Sequence, residues 1–215
     1  MRKLLKFIFH HFYHSFAWTY DFVAAFVSVG RWQDWRRTVL PQIRGSQVLE
    51  VGFGTGHLQV ELLQRGLKTF GLDESPQMVA IAQKNILKNS LYPRLTLGYA
   101  QSLPFAANSF DSLVATFPSE YIMDKLTLVE LFRVLKFSGR LVVVPIAWIG
   151  GRSLPDSAAR WLFRVTGQTT EEKTDLEHKI KSTLGQASFD VQITTEQLRD
   201  SLVMIIIAEK PTGPE

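Results

Sequence analysis

The chain has 215 residues, 46% hydrophobic and 20% charged, which is an ordinary globular composition and enough length for one domain with a sizeable core. It contains no cysteine, which excludes disulfide bonds and thiolate metal sites and agrees with a cytoplasmic location. The formal net charge of +4 favours an anionic partner only slightly, and because no long basic run is present, no nucleic-acid partner is expected.

Residues 1–44 are predicted to form an N-terminal helical lid or cap. Aromatic residues such as Phe7, Phe12 and Trp18 concentrate in its first half. Charged and histidine residues interrupt this apolar run, so it fits neither a membrane span nor a signal peptide. The aromatic helix is expected either to make a peripheral contact with the inner face of a membrane or to pack against the domain's own core.

Strands and helices alternate from residue 47 onwards. The predicted strands are 48–51, 69–72, 95–97, 111–116 and 141–145, and the predicted helices are 57–65, 77–89 and 125–135. This order predicts a parallel sheet with right-handed crossovers. Two further strands, 189–193 and 202–208, are joined by a segment too short for a crossover, so they are expected to form an antiparallel hairpin at one edge of the sheet.

The most informative segment is the turn between the first strand and the first of these helices, which has the pattern G-x-G-x-G. Gly52, Gly54 and Gly56 allow a tight turn and a close approach of the backbone to a ligand at the helix N-terminus. The pattern lacks the lysine of a P-loop and the spacing of a dinucleotide site, so a ligand without phosphates fits better. Asp73 ends the second strand, where an acidic residue accepts hydrogen bonds from the ribose hydroxyls of an adenosine ligand. A simple helix cap is the alternative role for Asp73.

Five segments in this order resemble the class I S-adenosylmethionine-dependent methyltransferases: residues 49–56, 71–78, 100–105, 108–111 and 133–141. The resemblance implies an α/β fold with a Rossmann-like, seven-stranded, mostly parallel sheet, an antiparallel last strand and helices on both faces. The chain is accordingly divided into the lid (1–44), an S-adenosylmethionine-binding methyltransferase domain (45–210) and a tail (211–215) that its composition predicts to be disordered. Within the domain, 147–186 matches none of the family's segments and is a candidate substrate cap.

The resemblance also implies which residues bind the cofactor S-adenosylmethionine, with S-adenosylhomocysteine as its product. These residues are Glu50, Gly52, Phe53, Gly54, Thr55, Gly56, Asp73, Glu74, Met78, Ala100, Gln101, Thr116, Phe117 and Pro118. The first six would wrap the methionine part, Asp73 would hold the ribose, and the last three would lie near the reacting methyl group. Tyr99 stands where the family often has an aspartate that touches the adenine amino group, so this contact is either lost or made by the backbone.

Three residues are candidates for positioning the acceptor: Tyr20 in the lid, and Glu120 and Tyr121 after the fourth strand. The alternatives are packing on the core for Tyr20 and a solvated loop for the other two. His10 and His14 have the spacing of metal ligands on a helix, but no third ligand is evident, so no metal site is expected.

The segments around Tyr20, residues 28–30 and Trp35 resemble the entrance region of ubiquinone/menaquinone-biosynthesis C-methyltransferases, and phospholipid N-methyltransferases share similar features. The resemblance therefore implies methyl transfer to a small, lipophilic acceptor, either a quinone precursor or a phospholipid headgroup. Two alternatives stay open: methylation of a soluble metabolite, and a non-catalytic scaffold that binds the cofactor. The sequence leaves the oligomeric state open.

Overall fold

The computed structural model describes residues 31–149 and 170–213. Within these residues the strands are β1 (Gln47–Val51), β2 (Lys68–Asp73), β3 (Leu95–Leu97), β4 (Phe110–Thr116), β5 (Leu135–Val144), β6 (Ala147–Ile149), β7 (Asp190–Leu198) and β8 (Ser201–Glu209). The helices are α1 (Trp32–Arg37), α2 (His57–Gln64), α3 (Pro76–Lys88), α4 (Lys125–Val134) and α5 (Thr170–Gln186), with 3-10 turns at Leu40–Gln42 and Glu120–Met123.

All these strands belong to one sheet, in the order β3-β2-β1-β4-β5-β8, with β7 on the far side of β8. The first five strands pair in parallel, and β8 is antiparallel to its neighbours. Because β7 covers one edge of β8 along its whole length, β5 and β6 share the other edge and act as one strand interrupted at Pro145 and Ile146. The sheet thus has seven strand positions, which confirms the predicted Rossmann-like fold and its antiparallel last strand.

The structure differs from the sequence-based boundaries around β5. The helix before it ends at Val134, and β5 begins at Leu135, six residues before the predicted start. A register shift opposite β4 absorbs residues 136–139, in which Ser138 has a positive φ of 60° and Lys136 pairs with Asp111 at 2.6 Å. The residues between the predicted helix and the predicted strand are therefore part of an irregular strand.

Two apolar layers cover the faces of the sheet. Along β4, Leu113 packs towards α4 and α5, whereas Val114 packs towards α1 and α2. This alternation follows from the opposite directions of successive side chains in a strand. Because β1 pairs in parallel with both β2 and β4, the carboxyl ends of these three strands meet at one edge of the sheet. This is the edge at which open α/β sheets bind ligands.

The segments predicted as a lid (1–44) and as a substrate cap (147–186) both contribute residues to this core. Trp35 and Val39, from the segment predicted as a lid, are buried against the α2 face, and Ile180 and Leu184 of α5, from the candidate cap, are buried on the opposite face. Residues 1–30 and most of the remaining cap lie outside the described residues, so the predicted division into lid, domain and tail stays a prediction. Among the described residues, no helix is long and apolar enough to cross a bilayer.

Candidate functional site

The glycine turn after β1 has three residues in the left-handed region, where φ is +75° at Gly52, +55° at Gly54 and +78° at Gly56. A Cβ atom on Gly56 would lie 2.6 Å from the Cβ atom of Ala82, so this glycine allows α3 to pack against the turn. A Cβ atom on Gly54 would meet nothing within 4 Å. Gly54 therefore faces open space, which fits a backbone that a ligand approaches.

Asp73, at the end of β2, connects this turn to the start of α3. Its Oδ2 accepts a hydrogen bond from Gly54 N and its Oδ1 accepts one from Ser75 N, both at 2.9 Å. The side chain of Ser75 caps α3 by accepting from Met78 N at 3.3 Å. Burial raises the pKa of Asp73, and the hydrogen bonds from Ser75 and Gly54 oppose this shift. Each carboxylate oxygen keeps a lone pair, so the helix-entry contact and a ribose contact are compatible.

Glu50 lies beneath the turn and is bonded to α2. Its side chain accepts a hydrogen bond from Gln59 Nε2 at 2.8 Å, and the residue is only 1% exposed. Burial raises the pKa of Glu50 to about 8, with Gln59 and Arg36 opposing the shift. In this position Glu50 supports the turn from below, and its predicted contact with a ligand stays a prediction.

The other residues predicted to bind the cofactor at this edge of the sheet belong to segments next to Asp73. Gly98 N donates to the Asp73 carbonyl oxygen at 3.0 Å, which brings the loop after β3 beside the turn. In that loop Ala100 is buried and Gln101 is partly buried, whereas Glu74 on the α3 side is exposed. The remaining three, Phe53, Thr55 and Met78, are buried. Phe53 lies over β2, where a Cβ atom on Gly71 would approach its ring to 2.7 Å.

The chain turns sharply after β4, where the residues predicted to lie near the methyl group are found. Phe117 has a positive φ of 50°, which is strained for an aromatic residue, and its N–H donates to the Val144 carbonyl oxygen at 2.7 Å. This conformation turns the Phe117 ring onto Trp32 of α1, with 4.2 Å between the stacked ring centroids. Thr116 and Pro118 flank it and are partly buried.

Tyr121 lies beside the glycine turn. Its hydroxyl donates to the Val51 carbonyl oxygen at 3.1 Å and lies so close to Gly52 that a Cβ atom there would overlap it. Glu120 precedes it in the same 3-10 turn and is exposed. Tyr20 lies outside the described residues.

Two contributors to this region were missed by the sequence reasoning. Gln59 binds Glu50 across the start of α2, and Trp32 stacks on Phe117 from α1. The tryptophan could have been suspected, because Trp32 and Trp35 form an aromatic pair in an otherwise charged stretch. Nothing in the spacing of Glu50 and Gln59 indicates their contact.

A separate cleft of about 320 Å³ lies between α1 and the β7–β8 hairpin. Its lining includes Arg31, Asp34, Arg37 and Leu198, and none of the predicted site residues. It is therefore distinct from the edge of the sheet where the predicted residues meet.

Residues 49–143 match a protein family described as "Methyltransferase domain". This part of the chain is a methyltransferase domain. The chain is 31% identical over 134 residues to the ubiquinone/menaquinone biosynthesis C-methyltransferase of Geotalea uraniireducens, covering 58% of this chain and 57% of that protein. The match thus spans little more than half the length of this relative.

Solved structures share the fold of the methyltransferase domain. A candidate S-adenosyl-L-methionine-dependent methyltransferase from Methanococcus maripaludis superposes with a TM-score of 0.64 at 17% identity, and the match covers 93% of both chains. Phosphoethanolamine N-methyltransferase 2 of Haemonchus contortus, solved with S-adenosyl-L-methionine, superposes with a TM-score of 0.65 at 16% identity over 94% of this chain and 60% of that one. The resemblance to class I S-adenosylmethionine-dependent methyltransferases is confirmed for domain family and fold.

Three glycine-to-alanine variants separate backbone strain from packing. Gly54→Ala and Gly66→Ala both place a side chain at positive φ in open space, so each should lower the free energy of unfolding by about 1 kcal/mol. Gly56→Ala adds the clash with Ala82 and should cost about 2 kcal/mol more. Chemical denaturation measures all three, and equal losses at Gly54 and Gly56 would contradict the packing role of Gly56.

The buried Glu50 predicts a pH dependence of stability. A carboxyl group whose pKa is raised by folding stays protonated in the folded state while it ionises in the unfolded state, so it lowers the free energy of unfolding progressively from about pH 4.5 to about pH 8. The variant Glu50→Gln should therefore gain at least about 2 kcal/mol of unfolding free energy relative to the unmodified protein between about pH 5 and about pH 8. Denaturant titrations at both pH values measure this gain. Glu74→Gln, at an exposed acid, is the control, and an equal gain there would refute the assignment.

Proposed function

We propose that this chain is an S-adenosylmethionine-dependent methyltransferase that acts on a small, lipophilic acceptor. The observation that carries the proposal is the arrangement of Gly54 and Asp73 at the carboxyl edge of the sheet. A left-handed glycine that faces open space lies one hydrogen bond from a buried carboxylate at the end of the neighbouring strand. The family match over residues 49–143 supports the same activity.

The residues at this edge fit the parts of the cofactor. The turn at residues 52–56 and the N-terminus of α2 offer backbone N–H groups to a carboxylate, and Asp73 offers acceptor oxygens to two ribose hydroxyls. Met78, Ala100 and Gln101 are proposed for contacts with the adenine. When bound, the cofactor supplies a methyl group on a sulfonium centre. S-adenosylhomocysteine is then the product that this site releases.

The opposite end of the site is aromatic and apolar. The Phe117 and Trp32 rings stack beside the end of β4, next to Thr116 and Pro118. Such a surface excludes water and fits a planar, lipophilic acceptor. Tyr121, whose hydroxyl donates to the Val51 carbonyl oxygen beside the glycine turn, is the candidate for orienting an acceptor hydroxyl.

Glu120 and Tyr20 complete the proposal for the acceptor end. Glu120 is exposed at the same edge and is the candidate general base where the acceptor needs one. Tyr20 precedes α1, which carries Trp32, and we propose it for acceptor positioning on the resemblance alone. A cytoplasmic enzyme that touches the inner membrane face through its aromatic N-terminus would collect such an acceptor.

The name of the similar Geotalea protein supports a quinone-type ring as the acceptor. The stacked rings of Phe117 and Trp32 agree with a ring-shaped acceptor. A phospholipid headgroup is the second candidate of the lipophilic class. The named neighbour that methylates phosphoethanolamine shares the fold at 16% identity.

The cofactor site is tested by isothermal titration calorimetry with S-adenosylhomocysteine. The purified protein should bind this ligand, and Asp73→Asn should bind it at least about tenfold more weakly, because hydrogen bonds to a charged acceptor contribute about 1.5–3 kcal/mol each. Gly54→Ala should also bind weakly, since its methyl group enters the open space, whereas Gly66→Ala has the same backbone strain and should bind normally. No binding by the unmodified protein, or equal binding by Asp73→Asn, would overturn the site.

The acceptor class is tested with methyl-labelled S-adenosylmethionine and a total bacterial extract. After solvent partition, label is expected in the organic phase, as a methylated quinone or lipid. Label only in the aqueous phase would favour a soluble metabolite and refute the lipophilic acceptor. The Gly54→Ala/Asp73→Asn double variant gives the background level of methyl label. An unmodified protein that binds the cofactor but transfers no label above this level would support the non-catalytic scaffold.

A further inference from the structure

The loop after β3, residues 98–105, is the part of the proposed adenine site that departs from the pattern of the similar methyltransferases. Tyr99 replaces the acidic residue and is 65% exposed, so its side chain is directed to the surface. No acidic side chain occurs in this loop. The loop therefore offers mainly backbone groups and the amide of Gln101 to a nucleobase, and these groups act only if the backbone is held in one conformation.

Two side chains of α4 hold this backbone. Glu130 Oε2 accepts a hydrogen bond from Leu103 N at 2.7 Å. Arg133 Nη2 donates to the Leu103 carbonyl oxygen at 3.0 Å, and its Nη1 donates to the Phe105 carbonyl oxygen at 2.7 Å. One acid and one guanidinium thus bind three backbone groups within three residues of the loop.

The two side chains also hold each other. Arg133 donates from Nε and from Nη2 to the two carboxylate oxygens of Glu130, each at 2.7 Å. The hydrogen bond from Arg133 lowers the pKa of Glu130, with partial burial opposing it, so the pair stays ionised at neutral pH. Lysine cannot replace this geometry, because an ammonium group lacks the planar fork that binds a carboxylate and two carbonyls together.

We propose that the Glu130–Arg133 pair is a positioning element that gives this site its selectivity for adenine, by fixing the backbone of residues 98–105. The inference rests on the proposed function. A loop that is already ordered loses little conformational entropy when a ligand binds, and its N–H and C=O groups keep one direction relative to the base. Neither side chain is proposed to touch the ligand.

The experiment compares two ligands that differ only in the base. Calorimetry gives the affinities of the protein for S-adenosylhomocysteine and for S-inosylhomocysteine, whose hypoxanthine lacks the exocyclic amino group. The unmodified protein should prefer the adenine ligand. Arg133→Lys should lower this preference about fivefold or more, the equivalent of one well-formed hydrogen bond. Glu130→Gln, which keeps the size but not the charge, should lower it by a smaller factor.

A matched control distinguishes positioning from general destabilisation. Arg140 also joins a glutamate, Glu209, to a backbone carbonyl, that of Gln42, but lies towards the amino ends of the strands. Arg140→Lys should lower the melting temperature and leave the base preference unchanged, with all titrations performed well below the lowest melting temperature.

Three outcomes would overturn the proposal. An unchanged preference in Arg133→Lys would refute positioning by this pair, and an equal loss in Arg140→Lys would show a purely structural effect. An unmodified protein that binds both ligands equally would show that the loop does not select adenine. Absence of binding to either ligand would instead refute the proposed function itself.

Discussion

The carboxylate of Asp73 is the interaction on which the candidate site depends. The parallel register of β1 and β2 places Val51 beside Leu72, and Gly52 N donates to the Leu72 carbonyl oxygen at 2.7 Å. Asp73 then lies beside the glycine turn, where it accepts from Gly54 and from Ser75. A single residue that is 4% exposed therefore joins the turn after β1 to the entry of α3, and water competes little for these bonds.

Two residues near the same edge of the sheet carry a local cost for folding. Phe117, directly after β4, has a positive φ, and the buried Glu50 in β1 has a raised pKa. Each of them opposes folding, and each persists because well-packed strands and helices determine its position. Such features gather where function requires a fixed backbone, and the apolar layers on both faces of the sheet supply the stability that offsets them.

The sequence predicted those parts of the molecule whose signals are local. Buried parallel strands are short apolar runs, so β1, β2 and β4 were found, as were the glycine turn and Asp73. β6 was missed because it has three residues and exists only through its pairing with β8. Tyr121 was chosen for its place after β4, but its bond to Val51, 70 residues away, depends on the packing of the whole sheet. The same holds for Gln59 and Trp32.

The two ends of the site are built from different interactions, and this has a consequence for specificity. Around Asp73 the contacts are directional hydrogen bonds, and Glu130 and Arg133 extend them to the loop after β3. Changing one partner there leaves buried polar groups unpaired, so this end tolerates little variation. Around Phe117 the contacts are aromatic stacking against α1. Rings can be exchanged there for other apolar side chains at modest cost, so one fold can keep a fixed cofactor end while its acceptor changes through the segment that carries Trp32.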